Sequence, residues 1–345
     1  MKLSVVILNW NGEEMMKQFL PVLIECSKIE EVELVVADNN STDNSCQMVE
    51  KEFPSVRLIR LDQNYGFAEG YNRSLRQLDS EYYLLLNSDV EVTPGWLEPM
   101  IGYMDAHPDV AACQPKILNY FKREYFDHAG ACGGYIDKNG FPFCRGRILD
   151  KVEKDKGQYD TIEETFWVSG AALFIRKKCY EEVGGMDGRF FAHMEEIDMC
   201  WRLKWHKYKL VCIPQSTVYH MGGATLNRGN PRKTFLNYRN NLIMLYKNLP
   251  NEECKVVLRR RWMWDMIAFW VFVAKLDFRN AGAIIKARRE FKQMKSDFVH
   301  ASMETNRLNF SNTEPQRSDI NIIVQAKLKF RNKYSKLIKH FPIHE

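Results

Sequence analysis

Three short apolar runs recur in the first quarter of the chain, at residues 3–8, 33–37 and 82–86, and each stops abruptly in a polar cluster, while residues 56–60 (VRLIR) read as a further strand. Residues 3–8 (LSVVIL) break into Asn9-Trp10-Asn11-Gly12, and residues 33–37 (ELVVA) break into Asp38-Asn39-Asn40-Ser41-Thr42-Asp43. Residues 56–60 lead to Asn64-Tyr65-Gly66, and residues 82–86 (YYLLL) to Asn87-Ser88-Asp89-Val90-Glu91. Continuous apolar runs of this length suit strands buried on both faces of a parallel sheet. Between them the pattern predicts helices over 13–28, 46–53 and 71–78, with Ser41 or Asp43 placed to cap the second. Strand–helix alternation predicts an α/β fold: a mainly parallel sheet with helices on both faces. The polar clusters then share the carboxyl edge, where open α/β sheets take their ligands.

Those clusters carry ligand-binding chemistry. Asp38 is placed to accept hydrogen bonds from a base or ribose, and Gly66 and Gly70 permit close approach of a backbone. Asn9, Asn11, Asn64, Gly66 and Asn87 join Asp38 as the expected nucleotide site. Asn87, Asp89 and Glu91 alternate, so in an extended chain they share a face. Oxygen ligands on one face suit a hard divalent cation, Mg²⁺ or Mn²⁺, which also holds substrate phosphates. An ordinary turn after a strand is the competing reading. Neither GxGxxG after the first strand nor GxxxxGK[ST] is present, which counts against a dinucleotide-dependent oxidoreductase.

Residues 110–165 are less regular and read as an acceptor-side wall or lid; His128 near Cys132 lacks the further ligands a metal would need. Residues 166–175 (FWVSGAALFI) read as a strand in which Gly170 marks a close approach. Glu195 and Glu196 open a helix after Phe190 and Phe191, and partial burial there would raise a carboxylate pKa and suit it to accept a proton. Asp198 and Arg202 form an i,i+4 pair on that helix. His220, read as lying after a strand at 208–213, becomes a metal-ligand candidate if it converges on Asp89.

The net charge of +5 over 345 residues does not point to nucleic acid. Nine scattered cysteines and no signal-peptide pattern predict reduced thiols and a cytoplasmic protein. From residue 237 the pattern turns helical and basic. Arg259-Arg260-Arg261 precede residues 262–276 (WMWDMIAFWVFVAKL), a stretch too short to span and interrupted by Asp265. It suits either a helix in the membrane interface or a packed core helix. Residues 286–295 and 327–345 add basic charge. The expected division is a catalytic domain over 1–236, folding by itself, and a helical, basic, membrane-associated region over 237–345.

Seven stretches in order resemble the inverting nucleotide-sugar glycosyltransferases of family 2, in their rhamnosyltransferase-like branch. They are residues 4–12 (SVVILNWNG), 37–45 (ADNNSTDNS), 64–72 (NYGFAEGYN), 84–92 (LLLNSDVEV), 168–176 (VSGAALFIR), 184–202 (GGMDGRFFAHMEEIDMCWR) and 218–223 (VYHMGG). The resemblance implies a glycosyltransferase A-type, Rossmann-like fold with a helical C-terminal extension. It implies metal-dependent transfer of a hexosyl or rhamnosyl group from a dTDP- or UDP-linked donor to a glycan or lipid-linked acceptor. The setting would be bacterial-type surface polysaccharide synthesis, on the inner face of the cytoplasmic membrane. Asp38 matches the base-contacting acid. Asp89 matches the last position of the metal-binding Asp-x-Asp signature, with Asn87 in place of the first Asp and Glu91 as a helper. His220 matches a metal or diphosphate ligand. Glu196 matches the catalytic base, usually Asp, and the longer side chain leaves the choice between Glu195 and Glu196 open. The Asn87 and Glu196 departures are what would favour a catalytically inactive nucleotide-binding module of a membrane assembly complex.

Overall fold

The computed structural model describes residues 1–222, 229–299, 315 and 317–337. The first half alternates as the sequence predicts: β1 Leu3–Asn9, α1 Glu13–Cys26, β2 Val32–Asp38, α2 Ser45–Glu52, β3 Arg57–Arg60, α3 Gly66–Leu75, β4 Tyr82–Leu86 and β5 Val90–Val92. Next come α4 Glu98–Ala106 and β6 Val110–Asn119, then the short strands β7 Gly134–Ile136, β8 Pro142–Cys144, β9 Arg147–Ile148, β10 Lys151–Val152 and β11 Glu163–Glu164. The chain continues through β12 Ala172–Arg176, α5 Lys177–Glu182, α6 Glu195–Trp205, β13 Lys209–His220, α7 Pro231–Asn248, α8 Asn251–Ala274 and α9 Phe278–Met294.

The main sheet runs β11-β13-β6-β12-β4-β1-β2-β3, with β5 pairing β13 outside that path. β4, β1, β2 and β3 are parallel, whereas β12 enters antiparallel between β4 and β6. The antiparallel pairing of β5 with β13 sets Val90 opposite His220, which brings the turn after β4 to the end of β13. Apolar cores fill both faces of the sheet, one including Val6 and Leu85, the other Val5 and Leu84. β7 to β10 form a second, four-stranded antiparallel sheet.

Several expectations are corrected. α3 begins at Gly66 rather than Tyr71. Gly70 lies inside this helix, and the close approach it permits is to Leu8, which a Cβ there would meet at 2.9 Å. Residues 110–119 form a buried ten-residue strand, not part of a lid. Its polar centre hid it: Gln114 is buried and accepts from the Ser169 backbone N–H, and Lys116 pairs with Asp155 at 2.8 Å. The strand expected at 166–175 is confined to Ala172–Arg176. His220 is the last residue of β13, which continues past the irregularity between Ile213 and Thr217 beside Pro214. All nine cysteines are free, and Cys132 packs against Cys212 at 3.5 Å.

The boundary at 236/237 falls inside α7. Beyond it, Leu242, Ile243, Met244 and Leu245 are buried in the same core as Val6 and Leu85. Lys247 places its Nζ 2.8 Å from both Asp187 and Asp198. Residues close to the end of the described chain also return to the second sheet: the Ser318 N–H donates to Ile136 O and the Ile322 N–H to Asp137 Oδ2, both at 2.9 Å. A chain ending at 236 would thus lack part of this core, and the expected boundary at 236/237 is corrected to one that does not cut α7. Of the basic segment 327–345, residues 338–345 lie outside the described residues.

Candidate active site

The loops after β1, β2 and β3 knit together at the carboxyl edge. Asn9 is buried, and its Nδ2 donates to Asp38 Oδ1 (3.0 Å), Ser41 Oγ (3.1 Å) and Ser45 Oγ (2.9 Å), while its Oδ1 has no partner. Asp38 Oδ2 accepts from the Ser41 N–H at 3.0 Å. Asn11 Oδ1 accepts from the Thr42 N–H at 2.7 Å. Of the two capping candidates, Asp43 acts: its carboxylate accepts from the first N–H of α2 (Ser45, 3.1 Å) and of α1 (Glu13, 3.0 Å). Asn64 Oδ1 accepts from the Gly66 N–H (2.9 Å) and from Asn39 Nδ2 (3.1 Å). Gly66 takes φ +74°, and Phe191 occupies the space a Cβ would need. Asn39, which sequence reasoning did not single out, ties the second loop to the third through the Tyr65 N–H (3.0 Å) and Gly66 O (3.0 Å).

After β4 the chain turns at Ser88 and Asp89, so Asn87, Asp89 and Glu91 do not share a face. Asn87 and Asp89 remain with His220. Asp89 Oδ1 lies 3.2 Å from His220 Nε2, and Asn87 Nδ2 lies 3.5 Å from the same nitrogen. Glu91 instead pairs with Arg123 at 2.7 Å. On the other side of the ring His220 Nδ1 lies 2.9 Å from Asp127 Oδ1. Burial opposes a charge on this imidazole, but the two carboxylates outweigh it and lift its pKa to about 10. Burial likewise opposes charge on Asp89 and Asp127, and His220 holds both below the usual carboxylate range. Asp127 was not anticipated. It lies 93 positions from His220 in an irregular stretch, and no spacing rule links the two.

The third part is the start of α6. The peptide N–H of Asn87 donates to Ala171 O at 3.0 Å. A Cβ built on the adjacent Gly170 would lie 3.7 Å from Glu196 Cβ and 3.5 Å from the Phe67 ring. Glu195 is buried and Glu196 half-buried, and one oxygen of each carboxylate has no hydrogen-bond partner. Burial, then the neighbouring Glu196, pushes Glu195 well above the usual range. Burial raises Glu196 to about 6, against the pull of backbone N–H groups at the helix start.

The loop leading into this helix is strained and clamped. Phe191, His193 and Met194 all take left-handed φ values (66°, 71° and 74°), a conformation that costs non-glycine residues about 1–3 kcal/mol each. Asn240 of α7 offsets that strain. Its Nδ2 donates to the carbonyls of Phe190 (2.9 Å), Ala192 (2.8 Å) and His193 (2.7 Å), and Arg239 donates to Phe190 O at 3.1 Å. Asp198 anchors the helix itself through Arg202 Nε (3.0 Å), Lys247 and Asn248 Nδ2 (2.8 Å). Sequence reasoning read residues 238–247 only as helical, and nothing local marks Asn240 as the partner of the loop before α6.

A sheet of this topology with its ligand edge built from these loops defines an A-type glycosyltransferase fold. Solved structures agree at the level of fold. S. aureus TarS 1–349 in complex with UDP-GlcNAc superposes with a TM-score of 0.55 at 16% identity, over 93% of this chain and all of that one. GalNAc-T7 with UDP, GalNAc and Mn²⁺ gives 0.57 at 13% identity, over 92% of this chain and 59% of that one. The glycosyl transferase family 2 model matches residues 4–183, and the chain belongs to that family. Among curated relatives, the N-acetylglucosaminyl-diphospho-decaprenol L-rhamnosyltransferase of Mycobacterium tuberculosis is 26% identical over 242 residues, 63% of this chain and 75% of the relative. O-antigen biosynthesis protein RfbC of Myxococcus xanthus is 24% identical over 65% of this chain but only 18% of its own length.

Proposed function

We propose that the chain transfers a hexosyl or rhamnosyl group, with inversion, from a dTDP- or UDP-linked donor to a hydroxyl of a glycan or lipid-linked acceptor in surface polysaccharide synthesis. The acceptor would be met at the inner face of the cytoplasmic membrane, where the chain makes peripheral contact. Relatives that build O-antigen and act on a diphospho-decaprenol acceptor support this reading. The observation that carries the mechanism is the separation of the two glutamates by environment. Burial and the neighbouring Glu196 push Glu195 well above the usual carboxylate range, whereas Glu196 rises only to about 6 and keeps an unpartnered oxygen. A general base must be ionised and within reach of the hydroxyl proton. Glu196 takes that proton as the acceptor attacks the anomeric carbon, and the diphosphate leaves from the opposite face. The nucleotide lies along the loops of Asn9, Asn11, Asp38, Asn64 and Gly66. A screen of nucleotide sugars for donor hydrolysis, with and without Mn²⁺, tests the reading; nucleotide affinity without turnover on any donor would favour the inactive binding module.

The donor set fits a divalent cation in a restricted way. Among the described residues no three His, Cys, Asp or Glu side chains gather as a metal site. Asp89 and His220 Nε2 would hold the ion from the protein side, with Asp127 orienting the ring through Nδ1, a common arrangement behind metal-bound histidine. Substrate phosphates would complete the shell. When bound, the ion supplies charge neutralisation for the leaving diphosphate. Glu91 would remain outside it, facing Arg123.

This arrangement predicts a pH signature. To bind metal, His220 must shed its Nε2 proton, which it holds until about pH 10. Mn²⁺ affinity, measured calorimetrically without donor, is expected to rise about tenfold per unit between roughly pH 7 and 9. An affinity flat across that range would remove His220 from the shell.

The clamp gives a second expectation. Asn240→Ala frees three carbonyls of the loop before Glu195, so kcat should fall roughly 10- to 100-fold with the donor KM little changed. Asn241→Ala is the control: its Nδ2 donates to Gly140 O (2.8 Å), away from the loop. Comparable loss of Tm in both variants, with kcat lost only in Asn240→Ala, separates positioning from mere stability. Equal kcat in the two variants would leave the clamp a structural tie only.

A further inference from the structure

The hairpin of α8 and α9 buries an ion-paired cluster on its packed side and turns a row of large apolar side chains out. Asp265 is buried between Arg261 (3.2 Å) and Arg288 (2.5 Å), and the Arg261 guanidinium lies 3.8 Å over the Phe141 ring. Cys254 and Val257 complete the packed side of α8. On the other side, Trp262 is 54% exposed and Trp270 64%, with Met263, Ile267 and Val271 also exposed. The turn into α9 continues the surface, with Leu276 76% and Phe278 63% exposed. Nothing among the described residues covers these side chains, and a contiguous apolar face of this kind marks an interaction surface.

We propose that this hairpin docks the enzyme on a bilayer containing anionic lipid, its apolar face lying in the boundary between headgroups and acyl chains. The choice of partner follows from charge. Exposed Arg259, Arg260, Lys275, Arg279, Lys286 and Arg289 lie on the same hairpin. Such a surface attracts acidic headgroups. A second copy of the chain would bring a like-charged rim against this one, and like charges across an interface disfavour pairing. Between the two helices lies an open groove of ≈ 550 Å³, with Trp262, Met266 and Ile285 on its walls and Arg289, Lys292 and Lys295 on its rim. Its apolar walls and basic rim suit a phosphate headgroup and the first carbons below it. No helix among the described residues is long and apolar enough to cross a membrane, so α8 lies on the bilayer.

The hairpin is also fastened to the site. Asn280 Nδ2 donates to Gly229 O at 2.9 Å, and Asn280 Oδ1 accepts from Thr234 Oγ1 at 2.5 Å. Glu290 of α9 pairs with Arg239, the neighbour of Asn240 in the clamp, at 2.6 Å. Docking therefore fixes the orientation of the site toward the membrane, which gives the proposed lipid-linked acceptor a short approach; that benefit rests on the functional reading above, whereas the docking itself does not.

The test is flotation of the full-length chain with phosphatidylcholine vesicles and with vesicles about one-third phosphatidylglycerol. The bound fraction should be at least about tenfold higher on the anionic vesicles. The double variant Ile267→Glu/Trp270→Glu should lose flotation on both and keep wild-type donor hydrolysis, since neither residue touches the site. Arg259→Glu/Arg260→Glu should weaken the preference for anionic lipid. Sedimentation without lipid measures self-association. Wild-type chain that fails to float, or floats equally with the apolar double variant, overturns the proposal. So does self-association abolished by that variant without vesicle binding. Flotation without turnover on any donor would overturn the functional reading and leave the docking surface standing.

Discussion

Glu196→Gln is expected to lower turnover by about 10²-fold or more, the usual scale for losing a general base. The substitution keeps the size of the side chain and removes the oxygen that takes the proton. Donor affinity should change little, because the base meets the acceptor. The pH profile gives an independent mark. Burial raises the folded pKa of Glu196 above its ordinary value to about 6, and the base is active only when ionised. Wild-type kcat should thus fall on the acid side with a midpoint near 6, and the variant's residual rate should lose that limb. Glu195→Gln should be milder, since burial and the neighbouring Glu196 push the Glu195 carboxyl well above the usual range and disfavour its ionised form. If Glu195→Gln were the more damaging change, the base would be Glu195. Near-normal rates in both would leave the proposed inversion without a base at this helix.

Asp89→Ala is expected to cost about 10²- to 10³-fold in metal-dependent turnover, the range seen when a group stabilising developing charge is removed. Asp89 is the one carboxylate of the 87–91 stretch that reaches His220. Its backbone role should survive, because Met221 N–H donates to the Asp89 carbonyl at 3.0 Å, which the substitution keeps. His220 would then be left with Asp127 alone, so some loss of Tm accompanies the loss of rate, and Asp89→Asn, which preserves shape, separates the two. Glu91→Ala should stay within a few-fold of wild type, because that carboxylate is engaged by an exposed arginine. Wild-type turnover in a folded Asp89→Asn would sink the metal assignment, and a large loss in Glu91→Ala would return Glu91 to the shell.

What the sequence disclosed follows from range. Strands β1, β2 and β4 were legible because each is a local apolar run, and the loops after them because turns announce themselves in Asn, Asp, Ser and Gly. Asp89, His220, Glu195 and Glu196 could be picked out one by one. Their mutual arrangement could not, because it depends on a turn at Ser88 and on β5 pairing with a strand far along the chain. β6 was hidden by Gln114 and Lys116, polar residues whose burial makes sense only beside Ser169 and Asp155. Asp127 and Asn240 escaped for the same reason: each matters through a partner 93 or about 50 positions away. The boundary drawn at 236/237 cuts α7, because the composition changes at 237 while the core runs on through Leu242–Leu245.

The tie between α6 and α7 also sets an order in time. The chain leaves the ribosome from its first residue, at about 5–20 residues per second. Glu195 and Glu196 therefore emerge seconds before Asn240, Lys247 and Asn248 can reach them. During that interval Asp198 has Arg202 but lacks the partners supplied by α7. The strained turn ahead of it then lacks the Asn240 clamp, with Phe191 tied to the earlier chain through the Phe67 N–H, which donates to its carbonyl at 2.7 Å. The start of α6, with Glu195 and Glu196, is in this sense late to acquire its shape, although its residues lie near the middle of the chain. The turn ahead of Glu195 would reach its final shape only once α7 had emerged, with α8 and α9 beginning to follow.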